Sequence, residues 1–420
     1  MGHGLLDALG TVLGDGDAAI VDATGDGARA LEGLADGCGV AVATVSRRAW
    51  PGLVRRLAHA PVDVRARLVA LPSTTEPRRI VATDRAVLRA AVGGRPLTAA
   101  VLRVPGLALP ARLATNVLVL RPRGATAPLR LQRLVPGADP ARIAVSASRD
   151  HDAVIATWTA RGTTPAGYVK LGDVAAEARA LAWIAPGAAI GGCVVPRVLA
   201  HEDRLLATSA LGGERAARVL GRQPARLGAT LERLASWLAA WHRAAATPGE
   251  PDLEYELLGP ARRLGSHLAP GYADRLGRLS RELAGVRAPL APAHRDVTMV
   301  NVLLDDDAFG VLDWETAAPA ALPFVDAPYA IVDAALAAAG DGDRLAAFAR
   351  CFGEGGPGRE LVRRIGLAAR IEPAVLSASF HACWLGHAVN ELERVGPSGS
   401  FVAIAARLSA APDRVDPFAT

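Results

Sequence analysis

The feature that most narrows the fold is a change of periodicity at Gly212. Before it, Arg142 to Ser148, Ala153 to Thr159 and Gly167 to Leu171 read as strands, joined by connections short enough for antiparallel hairpins. A helix is expected over Val174 to Trp183, then two more apolar segments at Cys193 to Leu199 and Arg204 to Thr208. Three strands, a helix and two strands make a small α+β lobe. Beyond Gly212 the period becomes helical. Along Arg226 to Ala245, the residues Leu227, Leu231, Leu234, Leu238 and Trp241 recur at alternating steps of four and three, which gives one continuous apolar face. Further helices are expected over Tyr272 to Ala284 and Pro373 to Glu393. The helical pattern breaks at Pro289, after which Asn301 to Leu304 and Gly310 to Trp314 look like two short strands around the turn at 305–309.

Upstream, Pro136 and Pro140 around Gly137 suggest a boundary near residue 138. Ala18 to Asp22 reads as a strand, Gly25-Asp26-Gly27 as a turn, Ala28 to Ala35 as a helix and Val40 to Val45 as a second strand, a βαβ unit. Apolar runs recur at Ala99 to Leu102 and Asn116 to Leu120. Three domains are therefore expected: an α/β N-terminal domain over 1–138, a small lobe over 139–211 and a helical lobe over 212–420.

Composition adds exclusions. With 51% hydrophobic residues in 420, the chain can bury ordinary cores and is not disordered as a whole. A net charge of +5 is spread among acids rather than gathered in basic runs, so no nucleic-acid partner is indicated. Cys38, Cys193, Cys351 and Cys383 form no C-x-x-C pair, so neither a zinc site nor a disulfide framework is suggested. No apolar run makes a convincing membrane span, and a cytoplasmic protein is expected.

The strongest chemical signal is His294-Arg295-Asp296 with Asn301 five residues after the aspartate, followed by the short hairpin and then Asp313-Trp314-Glu315. A loop carboxylate, an amide and a second carboxylate at the end of a hairpin can converge on one point. Such hard oxygen ligands suit magnesium carrying a nucleotide's phosphates. The acidic run Asp305 to Asp307 reads as hairpin decoration and Trp314 as core. Glu315 fits a metal, a substrate or a salt bridge equally well.

These two motifs resemble the catalytic and metal-binding segments of the aminoglycoside phosphotransferase and choline kinase-like family, relatives of the protein kinases. The resemblance covers roughly residues 140 to 400. It implies a bilobal, protein-kinase-like α+β fold and transfer of the γ-phosphoryl group of ATP or GTP, with Mg2+, to a hydroxyl of a small molecule. By position, Asp296 would orient or deprotonate the acceptor hydroxyl, His294 would brace the loop, and Asn301 and Asp313 would hold magnesium. Lys170, in the strand Gly167 to Leu171, stands where this family carries its phosphate-binding lysine, and Glu177 in the following helix would steer it. It is the only lysine in a chain with 47 basic residues, placed where a compact ammonium is wanted over a guanidinium fork. Thr208 and Ala210 fall in the segment matching the family's adenine-binding hinge, whose backbone could read a purine edge. His242, ending its helix, reads as structural.

Ser146 to Asp152, which would cover the phosphates, contains no glycine. A pseudokinase-like nucleotide-binding regulatory module therefore stays open as an alternative. So does methyltransferase-like activity in residues 1–130, since Val21 to Gly27 faintly resembles a Rossmann-type glycine motif. The acceptor pocket is expected among the C-terminal helices, with Asp326, Trp384, His387, Asn390 and Glu391 facing it. From Thr316 onward eleven acidic residues face nine basic ones, which argues against a polycationic antibiotic as acceptor; a sugar, an amino alcohol or a polysaccharide precursor is expected at least as readily.

Overall fold

The computed structural model describes residues 4–14, 18–22, 31, 39–46, 49–72, 77–82, 84, 87, 115–148, 151–184, 192–305 and 309–419. The expected turn at 25–27, the helix over 28–35 apart from Leu31, and the apolar run at 99–102 lie outside them. Two compact units result, one of residues 1–178 with 197–210 and the other of residues 179–196 with 211–420. The expected boundary at 138 coincides with neither limit.

The first unit is built on a single ten-stranded sheet. Its strands are β1 (Ala18–Asp22), β2 (Val40–Val45), β3 (Val62–Pro72), β4 (Pro77–Ala82), β5 (Thr115–Pro122), β6 (Ala138–Ser146), β7 (Ala153–Thr159), β8 (Gly167–Leu171), β10 (Val198–Glu202) and β11 (Leu205–Ser209); β9 (Cys193–Val194) belongs to the second unit. They lie in the order β1-β2-β5-β3-β4-β6-β7-β8-β11-β10. Only β1 and β2 run parallel, with Ala18 opposite Val40.

Residue 138 fails to divide the unit because the ladder continues past it. Ile80 of β4 pairs with Val145 of β6, and Val81 with Ala144. Gly137 and Pro140 instead mark an irregularity, as the β6–β7 register shifts between Ala138 and Ile143. Side-chain alternation then sorts the apolar residues by face. Val40, Val42, Val117 and Val119 join Leu68, Ile80, Ile143, Val145, Ile155 and Trp158 under the helix Gly4–Leu13. Ala41, Ala43, Val45, Leu118 and Leu120 pack with Leu53 of the helix Trp50–His59 on the opposite face.

The second unit is mainly helical, with two small sheets. One has the order β12-β15-β16-β9, where β12 is Glu214–Arg215, β15 Val302–Leu304 and β16 Phe309–Val311; the other joins β13 (Thr247–Gly249), β14 (Ala288–Ala293) and β17 (Ala318–Ala321). The helix Leu227–Ala245 buries Leu234, Leu238 and Trp241, as its apolar stripe requires, together with Trp237. Trp237 meets Phe309 edge-on at 5.4 Å between ring centres, and Trp241 lies 6.1 Å from Trp314, so this helix backs the β15–β16 hairpin. Phe348, Phe352, Phe380 and Trp384 form a second aromatic core around the helix Pro373–Arg394. Among the described residues no helix is long and apolar enough to cross a membrane.

Candidate active site

His294 begins the loop that leaves β14, and it is almost fully buried. The Asp296 N–H donates to His294 Nδ1 at 3.2 Å. With Nδ1 accepting, Nε2 carries the proton and donates to the Leu312 carbonyl 2.8 Å away. The imidazole therefore ties the loop to the residue just before Asp313, and its ring packs edge-on against Trp314 at 4.4 Å. Trp314 is itself buried, with its indole N–H on the Val311 carbonyl at 2.9 Å.

Two of these residues adopt left-handed backbone, Arg295 at φ 65° and Asp313 at φ 66°. Non-glycine residues in that region carry strain that surrounding contacts must offset. For Arg295 the offset is Asp326, whose carboxylate accepts from the His294 N–H at 2.8 Å and the Arg295 N–H at 2.7 Å. The Arg295 guanidinium pairs with the buried carboxylate of Glu256.

The turn that follows brings Asn301 back onto Asp296. The Asn301 N–H donates to the Thr298 carbonyl at 2.9 Å, and its side-chain amide donates to both the backbone oxygen and Oδ2 of Asp296, each at 3.1 Å. Asp333 holds the turn from beneath, accepting from the Met299 N–H at 2.6 Å. Burial raises the pKa of Asp296, and the nearby Asp313 and Asp333 raise it further, while His294 and the Asn301 hydrogen bond oppose this. Such crowding of carboxylates is what a divalent cation relieves. The Asn301 amide nitrogen is spent on Asp296, which leaves Oδ1 as its ligand atom. Asn301 and Asp313 thus suit magnesium in donor chemistry.

In the first unit, Lys170 and Glu177 do meet. Lys170 lies centrally, paired in register with Val154 of β7 and Leu206 of β11, and its Nζ is 2.6 Å from Glu177 Oε2. Glu177 is 3% exposed, so the carboxylate that holds this ammonium is withdrawn from solvent. The connection is short because Gly172 takes φ 126°, where a Cβ would come within 3.0 Å of the Asp152 backbone nitrogen.

Thr208 and Ala210 lie in and just after β11. Thr208 is buried inside β11, in register with Tyr168 on one side and Val198 on the other. The Ala210 N–H donates to the Ala166 carbonyl at 3.3 Å. That bond lies just beyond the β8–β11 ladder, which ends at Ser209 opposite Gly167.

The residues expected to face an acceptor pocket divide in their surroundings. Asp326, His387 and Asn390 line a cavity of about 300 Å³ in the second unit. Trp384 does not, because it is wholly buried among Phe348, Phe352 and Phe401. Glu391 is also spent elsewhere, accepting from the Val402 N–H at 3.2 Å and the Ser400 hydroxyl at 3.3 Å at the start of the helix Ser400–Ala410. Sequence reasoning missed Tyr255 and Glu256, which line this cavity from a π-helical turn over Glu254–Leu258. Nothing in the local sequence marks that turn.

With this geometry in place, the profile of the phosphotransferase enzyme family known as APH matches residues 130–360. More than half of the chain is covered, and the chain belongs to this family. Its fold is accordingly α+β and protein-kinase-like. No curated protein matches it. Among solved structures, it is similar to a candidate fructosamine-3-kinase from Thermobifida fusca YX-ER1, at 21% identity over 67% of this chain and 96% of that one, with a TM-score of 0.42. A choline/ethanolamine kinase family protein from Mesorhizobium loti matches at 19% identity over 63% and 84% of the two chains, TM-score 0.40. The macrolide 2'-phosphotransferase of Brachybacterium faecium matches at 20% identity over 63% and 91%, TM-score 0.33.

Proposed function

We propose that this phosphotransferase moves the γ-phosphoryl group of ATP or GTP to a hydroxyl of a small molecule. The observation that carries the reading is the Asp296–Asn301 pair, a partly buried carboxylate fixed by an amide whose oxygen remains for a cation. Asp296 is the group that orients the acceptor hydroxyl and takes its proton, since it is the loop carboxylate with a raised pKa. His294 acts by position: its hydrogen bonds fix the loop between Asp296 and Leu312. Lys170, held by Glu177, would contact nucleotide phosphate. Magnesium, held by Asn301 and Asp313, would neutralise phosphate charge. Phosphoryl transfer needs mostly positioning and charge neutralisation, which these residues supply. A reducing, cytoplasmic setting is part of the proposal, supported by buried free thiols at Cys193, Cys351 and Cys383.

The test is Asp296→Asn. Turnover should fall by roughly 10²–10⁴-fold, the usual contribution of general acid–base catalysis, while titration calorimetry with Mg-ATP or Mg-GTP still shows binding. Unchanged turnover would overturn the assignment. A wild-type protein that binds nucleotide yet transfers nothing to any acceptor would instead favour a regulatory, pseudokinase-like module.

A further inference from the structure

Two cavities of the second unit, of about 350 and 300 Å³, share Tyr255, Glu256, Arg295 and Thr316 in their walls. Both adjoin the backbone that carries Asp296, since Arg295 immediately precedes it and the Thr316 hydroxyl bonds the His294 carbonyl at 2.9 Å. Tyr255 and Glu256 come from a π-helical turn, in which the Gly259 N–H reaches back five residues to the Glu254 carbonyl. Isolated π turns are uncommon and recur at functional sites, because the extra residue re-aims side chains. Here the turn places Glu256 inward, 6% exposed, and leaves Tyr255 outward, 62% exposed.

The charges of the smaller cavity cancel. Glu256 is paired with Arg295, and Arg263 reaches Glu393 at 3.2 Å. Asp326 is occupied by two backbone N–H groups, and Asn390 is neutral. With two carboxylates, Glu256 and Asp326, against two guanidinium groups, Arg263 and Arg295, this wall carries no net charge and favours neither a polycationic nor an anionic acceptor. What remains is a set of fixed hydrogen-bonding groups beside an aromatic ring. The Arg295 guanidinium lies 5.5 Å from the centre of the Tyr255 ring, which pins the ring in place, and the exposure of that residue leaves apolar surface for a ligand. A flat aromatic surface beside a ring of polar groups suits a ligand with apolar C–H faces and hydroxyl edges.

We propose that the acceptor is a neutral sugar, stacked on Tyr255 with its hydroxyls bound by the Glu256–Arg295 pair. This rests on the phosphotransferase reading and narrows it to one substrate class. Tyr255 determines specificity; the transfer itself stays with Asp296.

The full-length protein is to be assayed for nucleotide turnover with glucose, N-acetylglucosamine, maltose and lactose, and separately with kanamycin and choline as cationic acceptors and glycerate as an anionic one. Turnover with at least one neutral sugar is expected. Tyr255→Ala should then raise the sugar KM by about ten-fold or more, as truncating an aromatic anchor does, without changing the nucleotide KM, and Tyr255→Phe should restore most of the loss. Because Tyr255 is mostly exposed, its replacement spares the core. Turnover confined to charged acceptors would overturn the sugar inference and leave the phosphotransferase reading standing. A sugar KM indifferent to Tyr255→Ala would overturn it as well. Failure to bind either Mg-nucleotide would sink the phosphotransferase reading. Sugar binding would then be read directly by calorimetry on the nucleotide-free protein, and no heat with any of the four sugars would overturn the inference.

Discussion

At the scale of single residues, Lys170 turns a composition oddity into a position. Its ammonium sits 2.6 Å from a carboxylate that is almost wholly buried, in a chain that otherwise uses arginine for every basic side chain. Arginine keeps the charge but replaces a compact point donor with a planar fork, which the confined Glu177 contact cannot accept without moving. Lys170→Arg should lower kcat/KM for the nucleotide by at least about tenfold, or ~1.4 kcal/mol of transition-state stabilisation, with little effect on thermal stability. Steady-state kinetics with nucleotide varied will show this. Asp296 gives a prediction of opposite character. Burial, then Asp313 and Asp333, lift its folded-state pKa above the ordinary value of 3.8. A raised carboxyl favours folding below its unfolded pKa, and that advantage is lost as pH rises through the folded pKa. Near neutral pH the ionised group therefore costs stability. Asp296→Asn should melt higher than wild type in metal- and nucleotide-free buffer, and the gap should close as pH falls through the raised titration range. Differential scanning calorimetry across pH tests both the sign and the convergence.

At the scale of elements, Gly172 decides whether the pair can form. The strand β8 must turn back within three residues so that the helix Ala175–Ile184 can aim Glu177 at Lys170, and φ 126° is what permits it. Gly172→Ala should cost about 1–3 kcal/mol in urea unfolding, the usual range for one strained residue, and should raise the nucleotide KM. The sequence revealed this pair because the chemistry needs rare residue types at fixed places, a lysine on a strand and a glutamate in the next helix. Asp296, Asn301 and Asp313 were legible for the same reason. The long helix over Leu227–Ala245 was legible through its heptad-like leucines. Other parts were not. Thr208 and Ala210 were chosen for backbone groups, and backbone availability depends on which strands pair, which residue identity does not encode. Trp384 shares a face with cavity residues in sequence spacing, yet four aromatic neighbours claim it for the core. Tyr255 and Glu256 depend on a π turn that has no composition signature.

At the scale of the whole molecule, the family match and the folding unit have different limits. The match begins at residue 130, whereas the sheet that carries Lys170 continues without a break through β4, β3, β5, β2 and β1. Pro136, Gly137 and Pro140 suggested a boundary near residue 138 because proline and glycine interrupt regular structure, but here they accompany an irregular strand pairing inside one sheet. The apolar side chains show what that continuity is for. Leu9, Val12 and Leu13 of the first helix are fully buried in the same core as Leu131, Ile143 and Ile155, and the Arg130 guanidinium donates to the Thr11 carbonyl at 2.8 Å. Shortening the chain to residues 126–420 would strip β4 from β6 and leave that strand as an open edge above an uncovered apolar face. Unpaired edges of this kind recruit other chains. The shortened protein should therefore be recovered mainly as aggregate, or show a lower melting temperature and dye-accessible apolar surface where soluble, even though it retains every residue of the family match. A 126–420 protein that is monomeric by size exclusion and melts within a degree or two of the full chain would show that residues 1–125 are an appendage rather than part of the fold that positions Lys170.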